Sequence, residues 1–298
     1  MDSNYEAVLE YLKHQGNCDL TVYKESTLNR RLRYRMMTIK IQSYDDYLKY
    51  IKTNPEEIAI LFETILINYT RFFRDRSAWD YLAEQIIPQI VSNKQPNQSI
   101  RVWSAGCASG EEAYTLAIIL AEVLGMEQYL QRVQIFATDV DTSAIKEAQQ
   151  GIYSAAEVAN IPPKLLEKYF EEKNDYYVFN KRLRRKLIFG RHNLIKDPPI
   201  SKLDLLVCRN ALIYFKESAQ SKILFNLYFG LDVNGFLCMG TSETLVTRKH
   251  DFTPVNIKHR IFTKEQKITK QDWLLSQPSY QLKVKNLLAH KYLIIRNS

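Results

Sequence analysis

The feature that most constrains this fold is an apolar run that enters a loop of small residues and leaves it as a helix. Val102 and Trp103 precede the loop 105–110, AGCASG, and Glu111 and Glu112 follow it at the start of an apolar-periodic segment. A strand, a tight glycine turn and a helix N-terminus form the usual site for a nucleotide-like ligand in a doubly wound α/β sheet. The chain is therefore expected to contain such a sheet.

The residues of this loop also narrow the class of ligand. They include neither the lysine and hydroxyl of a triphosphate-binding loop nor the G-x-G-x-x-G spacing of a dinucleotide site. Glu111 and Glu112 would repel a pyrophosphate, whereas they suit a ligand with an ammonium group and hydroxyls. S-adenosylmethionine has both, so it is the predicted cofactor, and no metal is expected.

A second buried strand is expected at 133–141, with Asp139 near its end. A carboxylate at the tip of the second strand of a doubly wound sheet binds ribose hydroxyls. Asp139 could instead serve only as a helix cap, but its distance from the glycine loop favours the ribose role. Asp141 and Thr142 are expected to begin the following helix, which Gly151 would end.

Composition indicates a globular protein. Hydrophobic residues make up 46% of the 298 residues and charged residues 25%, which allows one large or two ordinary domains. No apolar run reaches the roughly 18 residues of a membrane span, and the N-terminal residues do not resemble a secretion signal. The four cysteines form no C-x-x-C pair, as expected of reduced thiols in a cytoplasmic protein: Cys18, Cys107, Cys208 and Cys238.

The net charge of +8 is concentrated in two clusters of basic residues. Such clusters favour an acidic partner, which could be nucleic acid, a membrane surface or an acidic protein face. For one cluster alone, a solvated helix face is the simpler interpretation. The first cluster contains Arg30, Arg31, Arg33, Arg35 and Lys40, and the second occupies 181–191.

Two domains are predicted. Residues 1–75 are expected to be helical, with Asn54-Pro55-Glu56-Glu57 beginning a helix that is apolar nearly all round and buried between two units. Residues 76–264 are expected to form the cofactor domain, because strands and helices alternate from residue 100 onwards. A linking helix is predicted at 77–91, further strands at 203–208, 235–240 and 257–264, and a small hairpin at 176–190; residues 265–298 receive no assignment.

Five ordered segments resemble the CheR-type chemotaxis methyltransferases, which methylate chemoreceptor glutamates with S-adenosylmethionine. The similarity extends from about residue 5 to residue 264. It implies a small all-α N-terminal domain, followed by a Rossmann-like methyltransferase domain with a small β insert. The five segments are 67–75, 101–115, 137–153, 203–215 and 235–243.

The resemblance also implies roles for individual residues. Arg74 and Tyr214 are implied as catalytic residues at the acceptor side. Glu111 or Glu112 would hold the amino group of the cofactor, and Asp139 its ribose. The implied cofactor contacts are Asn68, Thr70, Arg74, Glu111, Glu112, Asp139, Asn193, Leu194, Asn210 and Ala211.

Some positions depart from the family pattern. Ala113 stands where the family often has proline, Thr241 where it often has histidine, and Arg71 where a small residue is common. The insert 176–190 matches a β-subdomain that in some members binds a C-terminal receptor peptide, and its shortness weighs against such a tether.

The implied reaction is methyl transfer to glutamate carboxylates of chemoreceptor cytoplasmic helices by a cytoplasmic, monomeric enzyme that does not insert into membranes. A glutamate with a pKa of about 4.3 is ionised at neutral pH, so no general base is needed. Two alternatives stay open: a methyltransferase that acts on another protein or on RNA, and a signalling module that binds the cofactor without catalysis. Nucleic acid is not favoured as a partner, because no aromatic stacking surface adjoins the basic clusters.

Overall fold

An all-α domain comes first in the chain. The computed structural model describes residues 3–15, 20–66, 68–245 and 251–264. Before residue 68 it contains a 3₁₀ turn at Leu20–Val22 and four α-helices: α1 (Ser3–Gln15), α2 (Glu25–Thr38), α3 (Tyr44–Thr53) and α4 (Glu56–Ile65).

The core of this domain is built from one face of each helix, as amphipathic spacing requires. Leu12, Leu32, Tyr47, Ile51 and Leu61 are completely buried in it.

The sequence prediction for α4 was wrong in two respects. The cap predicted at Asn54 is instead the C-cap of α3, where Asn54 Nδ2 donates a hydrogen bond to the carbonyl of Tyr50 at 2.9 Å. The helix is also buried on one face only, since Ile60 is 40% exposed. Apolar content alone did not reveal this exposed face.

A buried ion pair joins α2, α3 and α4. Arg35 donates from Nε and Nη2 to the two carboxylate oxygens of Glu57, at 2.8 and 2.6 Å. The hydroxyl of Tyr47 donates to the same carboxylate at 2.9 Å. The hydrogen bond to Glu57 raises the pKa of Arg35, and burial raises the pKa of Tyr47. Three helices therefore share one buried, charge-assisted network.

A linking helix follows at the predicted place. It comprises α5 (Arg76–Tyr81) and α6 (Ile87–Ser92), joined by a π-helical turn at Leu82–Ile86. Pro88, which has no backbone N–H to donate, follows this turn. One face of this helix is buried, and it carries Trp79, Leu82, Ile86 and Ile90.

The described residues of the second domain form ten strands. Seven form one sheet in the order β6-β2-β1-β7-β8-β10-β9, and three form a small sheet in the order β3-β5-β4. The strands are β1 (Ile100–Ala105), β2 (Val133–Asp139), β3 (Ile152–Ser154), β4 (Phe170–Lys173), β5 (Tyr176–Phe179), β6 (Leu187–Arg191), β7 (Leu203–Cys208), β8 (Leu231–Met239), β9 (Phe252–Asn256) and β10 (Ile261–Lys264).

The large sheet is parallel from β6 to β8, and β10 and β9 continue it in antiparallel pairing. Helices α7 (Glu111–Leu124), α8 (Met126–Arg132), α9 (Thr142–Gln150) and α13 (Glu217–Gly230) pack against it, which agrees with the predicted α/β class. Helices α10 (Ala155–Val158) and α11 (Pro163–Tyr169) contact the small sheet, and α12 (Lys181–Arg184) contacts α8. No helix in the described ranges is long and apolar enough to cross a membrane.

The hairpin predicted at 176–190 does not form. Residues 176–179 make β5, which pairs with β3 and β4 in the small sheet. Residues 187–191 make β6, which pairs in parallel with β2 at the edge of the large sheet. Aromatic and β-branched residues suit either sheet, so composition could not decide which strand each segment would pair with.

Only the second half of the strand predicted at 257–264 is a strand, namely β10. The chain turns at 257–260, between β9 and β10. In this turn Arg260 has a left-handed φ of 54°, and the N–H of His259 donates to Asn256 Oδ1 at 3.1 Å.

We expect Glu57→Ala to lower the free energy of unfolding by about 3 kcal/mol, because it leaves the Arg35 charge without its buried partner. Urea unfolding followed by circular dichroism measures this change. The neighbouring Glu56 is exposed, so Glu56→Ala is the matched control and should change stability by about 0.5 kcal/mol or less. Equal losses in the two variants would contradict a stabilising role for the network.

Candidate functional site

A cleft opens where β1, β2 and β7 end, which is the place where open α/β sheets bind ligands. Its volume is about 1400 Å³, including its open mouth. The helical domain forms part of its wall through Val22, Tyr23, Ile65 and Leu66. Residues of both domains therefore contribute to one cavity.

The glycine loop after β1 lies against the second strand and α9. The carbonyl of Thr138 accepts hydrogen bonds from the N–H groups of Gly106 and Cys107, at 2.8 and 3.0 Å. Gly110 has a φ of 98°, and a Cβ atom there would lie 2.9 Å from Ala148 Cβ. Only glycine combines this backbone conformation with this close approach.

Asp139 lies at the end of β2 and lines the cleft, as predicted. Its carboxylate accepts hydrogen bonds from the N–H groups of Ala108, at 2.9 Å, and Asp141, at 3.0 Å. Burial raises the pKa of Asp139. Each carboxylate oxygen has a second lone pair, so both retain capacity for ligand hydroxyls.

The helix cap that competed with this role belongs to Asp141. Its Oδ1 accepts from the N–H groups of Ser143 and Ala144, at 2.8 and 3.3 Å. Asn68 Nδ2 donates to its other oxygen at 2.6 Å. Asp139 is therefore not required as the cap of α9, and Asn68 is fixed at the rim of the cleft.

The two glutamates that open α7 have different surroundings. Glu112 lines the cleft and accepts a hydrogen bond from Ser104 Oγ at 2.8 Å. Burial raises the pKa of Glu112 to about 7, although Arg209 lowers it. Glu111 is not among the lining residues; its carboxylate accepts from Ser109 Oγ at 2.8 Å. Between the two predicted residues, the geometry favours Glu112 as the partner of a ligand ammonium group.

Arg209 was missed by the sequence analysis. Its side chain is 2% exposed and its Nη2 donates to Asp75 at 2.7 Å, while Nη1 lies 3.9 Å from Glu112. The guanidinium also lies 4.9 Å from the ring centre of Trp79. Its Nε has no hydrogen-bond partner among the described residues. The sequence signal that could have identified Arg209 is a cationic residue directly after a strand whose residues are all buried.

Glu243 was likewise not predicted as a site residue. It is 3% exposed and accepts hydrogen bonds from the N–H groups of Gly240, Asn210 and Leu212, at 2.6, 3.0 and 2.7 Å. Burial raises the pKa of Glu243, and these backbone donors oppose the shift. The carboxylate thereby fixes the loop after β7, in which Asn210 has a left-handed φ of 60°.

Arg74 follows the junction between the domains. Its Nη1 donates to the carbonyl of Tyr69 at 3.3 Å, and its guanidinium lies 5.6 Å from the ring centre of Tyr69. Trp79 Nε1 donates to the carbonyl of Arg74 at 2.7 Å. The guanidinium has five N–H donors, so it can still bind a carboxylate.

All predicted site residues except Glu111 line this one cleft. Asn193 fixes the turn that follows β6, where its Oδ1 accepts from the N–H groups of Ile195 and Lys196 at 2.9 and 3.2 Å. The lining residues among those predicted are Asn68, Thr70, Arg74, Glu112, Asp139, Asn193, Leu194, Asn210, Ala211 and Tyr214.

The chemistry of the cleft fits S-adenosylmethionine. Glu112 offers a carboxylate for an ammonium group and Asp139 one for ribose hydroxyls, while Leu194 and Ile195 offer apolar surface for a base. A Cβ atom at Gly106 would lie 3.2 Å from Ala211 Cβ, so glycine keeps the floor of the cleft open. Within the described part of the chain, no three His, Cys, Asp or Glu residues are grouped as metal ligands.

Comparison with known proteins also indicates a domain that binds S-adenosylmethionine. The family model "CheR methyltransferase, SAM binding domain" matches residues 68–261, and "CheR methyltransferase, all-alpha domain" matches residues 3–66. The Chemotaxis protein methyltransferase of Listeria innocua is 31% identical over 246 residues, which are 83% of this chain and 92% of that protein. The Chemotaxis protein methyltransferase of Borreliella burgdorferi is 32% identical over 241 residues, covering 78% and 84%.

A longer relative matches as well. An uncharacterized 104.1 kDa protein of Rhodobacter capsulatus is 35% identical over 255 residues, which are 86% of this chain. The chain spans only 27% of the length of that protein. With both family models matching in order and the relatives aligned across both domains, the chain belongs to the CheR methyltransferase family.

Proposed function

We propose that this protein transfers the methyl group of S-adenosylmethionine to glutamate carboxylates on the cytoplasmic helices of chemoreceptors. The observation that carries the proposal is the arrangement of the cleft. Glu112 and Asp139 line it as candidate ligands of the cofactor, and Arg74 and Tyr214 line the same cavity. The names of the Listeria and Borreliella relatives support a role in chemotaxis.

Different residues of the cleft would bind different parts of the cofactor. Glu112 would hold the ammonium group of the cofactor, Asp139 the ribose hydroxyls, and Asn193 and Leu194 the adenine. Bound S-adenosylmethionine would supply a methyl group activated by the positive sulfur. Because these groups are held by backbone hydrogen bonds and burial, they are oriented before the acceptor arrives.

The acceptor needs alignment rather than activation. A glutamate carboxylate is ionised at neutral pH; with the methyl donor bound, one of its oxygens would form a bond to the methyl carbon while the carbon–sulfur bond would break and leave its electron pair on sulfur. No proton moves. Arg74 and the Tyr214 hydroxyl can orient an anion without protonating it, and the cleft removes water from it.

The exposed arginines of α2 are proposed to meet the acidic receptor helix. Arg30 and Arg33 are exposed, whereas Arg35 is already paired with Glu57. Docking through exposed charges is weak and depends on ionic strength. The proposed contact is therefore sensitive to salt.

The decisive experiment is transfer of tritiated methyl from S-adenosylmethionine to cytoplasmic receptor fragments, followed by mild alkali. Release of the label as methanol supports a carboxyl methyl ester. Label that enters RNA or another protein instead, or cofactor binding without any transfer, would replace this proposal by one of the two alternatives.

We expect Arg74→Ala to reduce kcat about a hundredfold, the effect of removing one positioned charge-stabilising donor, and Tyr214→Phe to reduce it at least about tenfold. Melting temperatures should stay near that of the wild type. Arg76→Ala is the matched control, since Arg76 is exposed and forms its ion pair with Asp80. Parallel losses of activity and melting temperature would argue against catalytic roles.

Binding of S-adenosylhomocysteine should weaken as the pH falls below about 7, because protonation of Glu112 removes the charge that attracts the ammonium group. Since the pKa of Glu112 is raised to about 7, Kd should rise by up to about tenfold per pH unit below it. Calorimetry between about pH 7 and about pH 5.5 tests this linkage.

The adjacent glutamate supplies the control for this measurement. Glu112→Gln should bind more weakly with little pH dependence, and Glu111→Gln should keep the pH dependence of the wild type. A slope that survives in Glu112→Gln, or one that disappears in Glu111→Gln, would reassign the ammonium site.

Charge reversal at Arg30 and Arg33 should raise KM for receptor fragments about tenfold at low salt and have a smaller effect at high salt. The change in kcat should be small, because neither residue lines the cleft. Lys13→Glu with Lys49→Glu alters the same number of exposed charges on α1 and α3. An equal rise of KM in this control would show that net charge matters and not the α2 surface.

A further inference from the structure

Two short segments from different domains pair beside the cleft. The N–H of Lys24 donates to the carbonyl of Tyr214 at 2.8 Å, and the N–H of Lys216 donates to the carbonyl of Val22 at 2.9 Å. Tyr23 and Phe215 thus form an antiparallel bridge. We call these paired residues, 22–24 and 214–216, the interdomain bridge.

Side chains reinforce the bridge. The rings of Tyr23 and Phe215 stack with centroids 4.6 Å apart. Phe215 and Tyr214 also pack against the hydrophobic core of the helical domain. Tyr23 and Tyr214 both line the cleft, so the bridge is part of its wall.

The methyltransferase domain holds the same loop at neighbouring positions. Glu243 binds the N–H groups of Asn210 and Leu212, and Gln220 Nε2 donates to the carbonyls of Leu212 and Phe215, at 2.8 and 3.0 Å. The carbonyl of Tyr214 itself is bound by the helical domain. The placement of this tyrosine therefore depends on both domains.

We infer that the helical domain positions Tyr214 for the acceptor, with the backbone N–H groups of Lys24 and Lys216 as the positioning donors. The inference rests on the proposed function, in which Tyr214 orients the acceptor carboxylate. A displacement of about 1 Å at a reacting group can reduce the rate about a hundredfold. The helical domain thus serves the reaction itself, beyond any part it has in receptor docking.

The two donors can be removed without disturbing side-chain packing. Lys24 and Lys216 have φ angles of −62° and −63°, which proline adopts without strain. Phe215, before Lys216, is extended with a ψ of 150°, and Tyr23, before Lys24, lies in the bridge, so both suit a following proline. Both lysine side chains are exposed. Proline deletes the N–H and places a ring carbon against the carbonyl oxygen.

The test compares Lys24→Pro and Lys216→Pro with Lys24→Ala and Lys216→Ala in the full chain. We expect each proline variant to lose about a hundredfold in kcat for receptor fragments, with Kd for S-adenosylhomocysteine unchanged within about twofold. The alanine variants keep the N–H and should match the wild type. Normal kcat in the proline variants, or equal losses in the alanine variants, would overturn the inference.

A double-mutant cycle separates positioning from general destabilisation. If the bridge acts through Tyr214, Lys24→Pro should reduce kcat much less in a Tyr214→Phe background than in the wild type. Independent losses that multiply would show that the bridge does not act through the tyrosine.

Hydrogen exchange measures the bridge without reference to activity. Lys24→Pro should speed exchange in residues 210–216, and Lys216→Pro should speed it in residues 20–24, each in the domain that does not carry the substitution. Unchanged exchange there would overturn the inference. If the wild type transferred no methyl to receptors, the proposed function would fail, whereas the exchange result would still report whether the bridge holds the loop.

Discussion

The site depends on a guanidinium buried where β7 ends. Arg209 binds Asp75 at the start of the linking helix, lies beside Glu112 at the start of α7 and covers the ring of Trp79. A buried cation is tolerated only with partners of opposite charge, and removing one partner of such a pair typically costs about 3–5 kcal/mol. This one interaction therefore holds the linking helix, the glycine-loop helix and the central sheet in a fixed arrangement around the cleft.

Charge balance around that guanidinium explains the ligand that the cleft suits. Two carboxylates, Asp75 and Glu112, face one cation, so the cluster is short of one positive charge. Burial raises the pKa of Glu112 to about 7, although Arg209 lowers it. An ammonium group from a ligand would restore the balance and favour the ionised carboxylate.

Local sequence patterns predicted the features that depend on residues close together in the chain. The glycine loop, the carboxylate at the tip of β2 and the linking helix all follow from residue type and spacing. The pattern did not reveal Arg209 or the pairing of β6 with β2, because their partners are distant in sequence: Arg209 and Asp75 are 134 positions apart. It also left Glu111 and Glu112 equivalent, since neighbouring helical residues differ only in which way they face.

Some of the residues other than glycine that have left-handed backbone lie at or beside the cleft. Asp75, Ala108 and Asn210 have φ angles of 57°, 46° and 60°, a conformation that usually costs residues with a Cβ atom about 1–2 kcal/mol. At Asp75 the strain is offset by the ion pair to Arg209. Selection for thermal stability alone would favour glycine at such positions. A variant that is more stable to heat could thus be a poorer catalyst, because glycine in place of Asp75 would remove one member of the charge cluster that shapes the site.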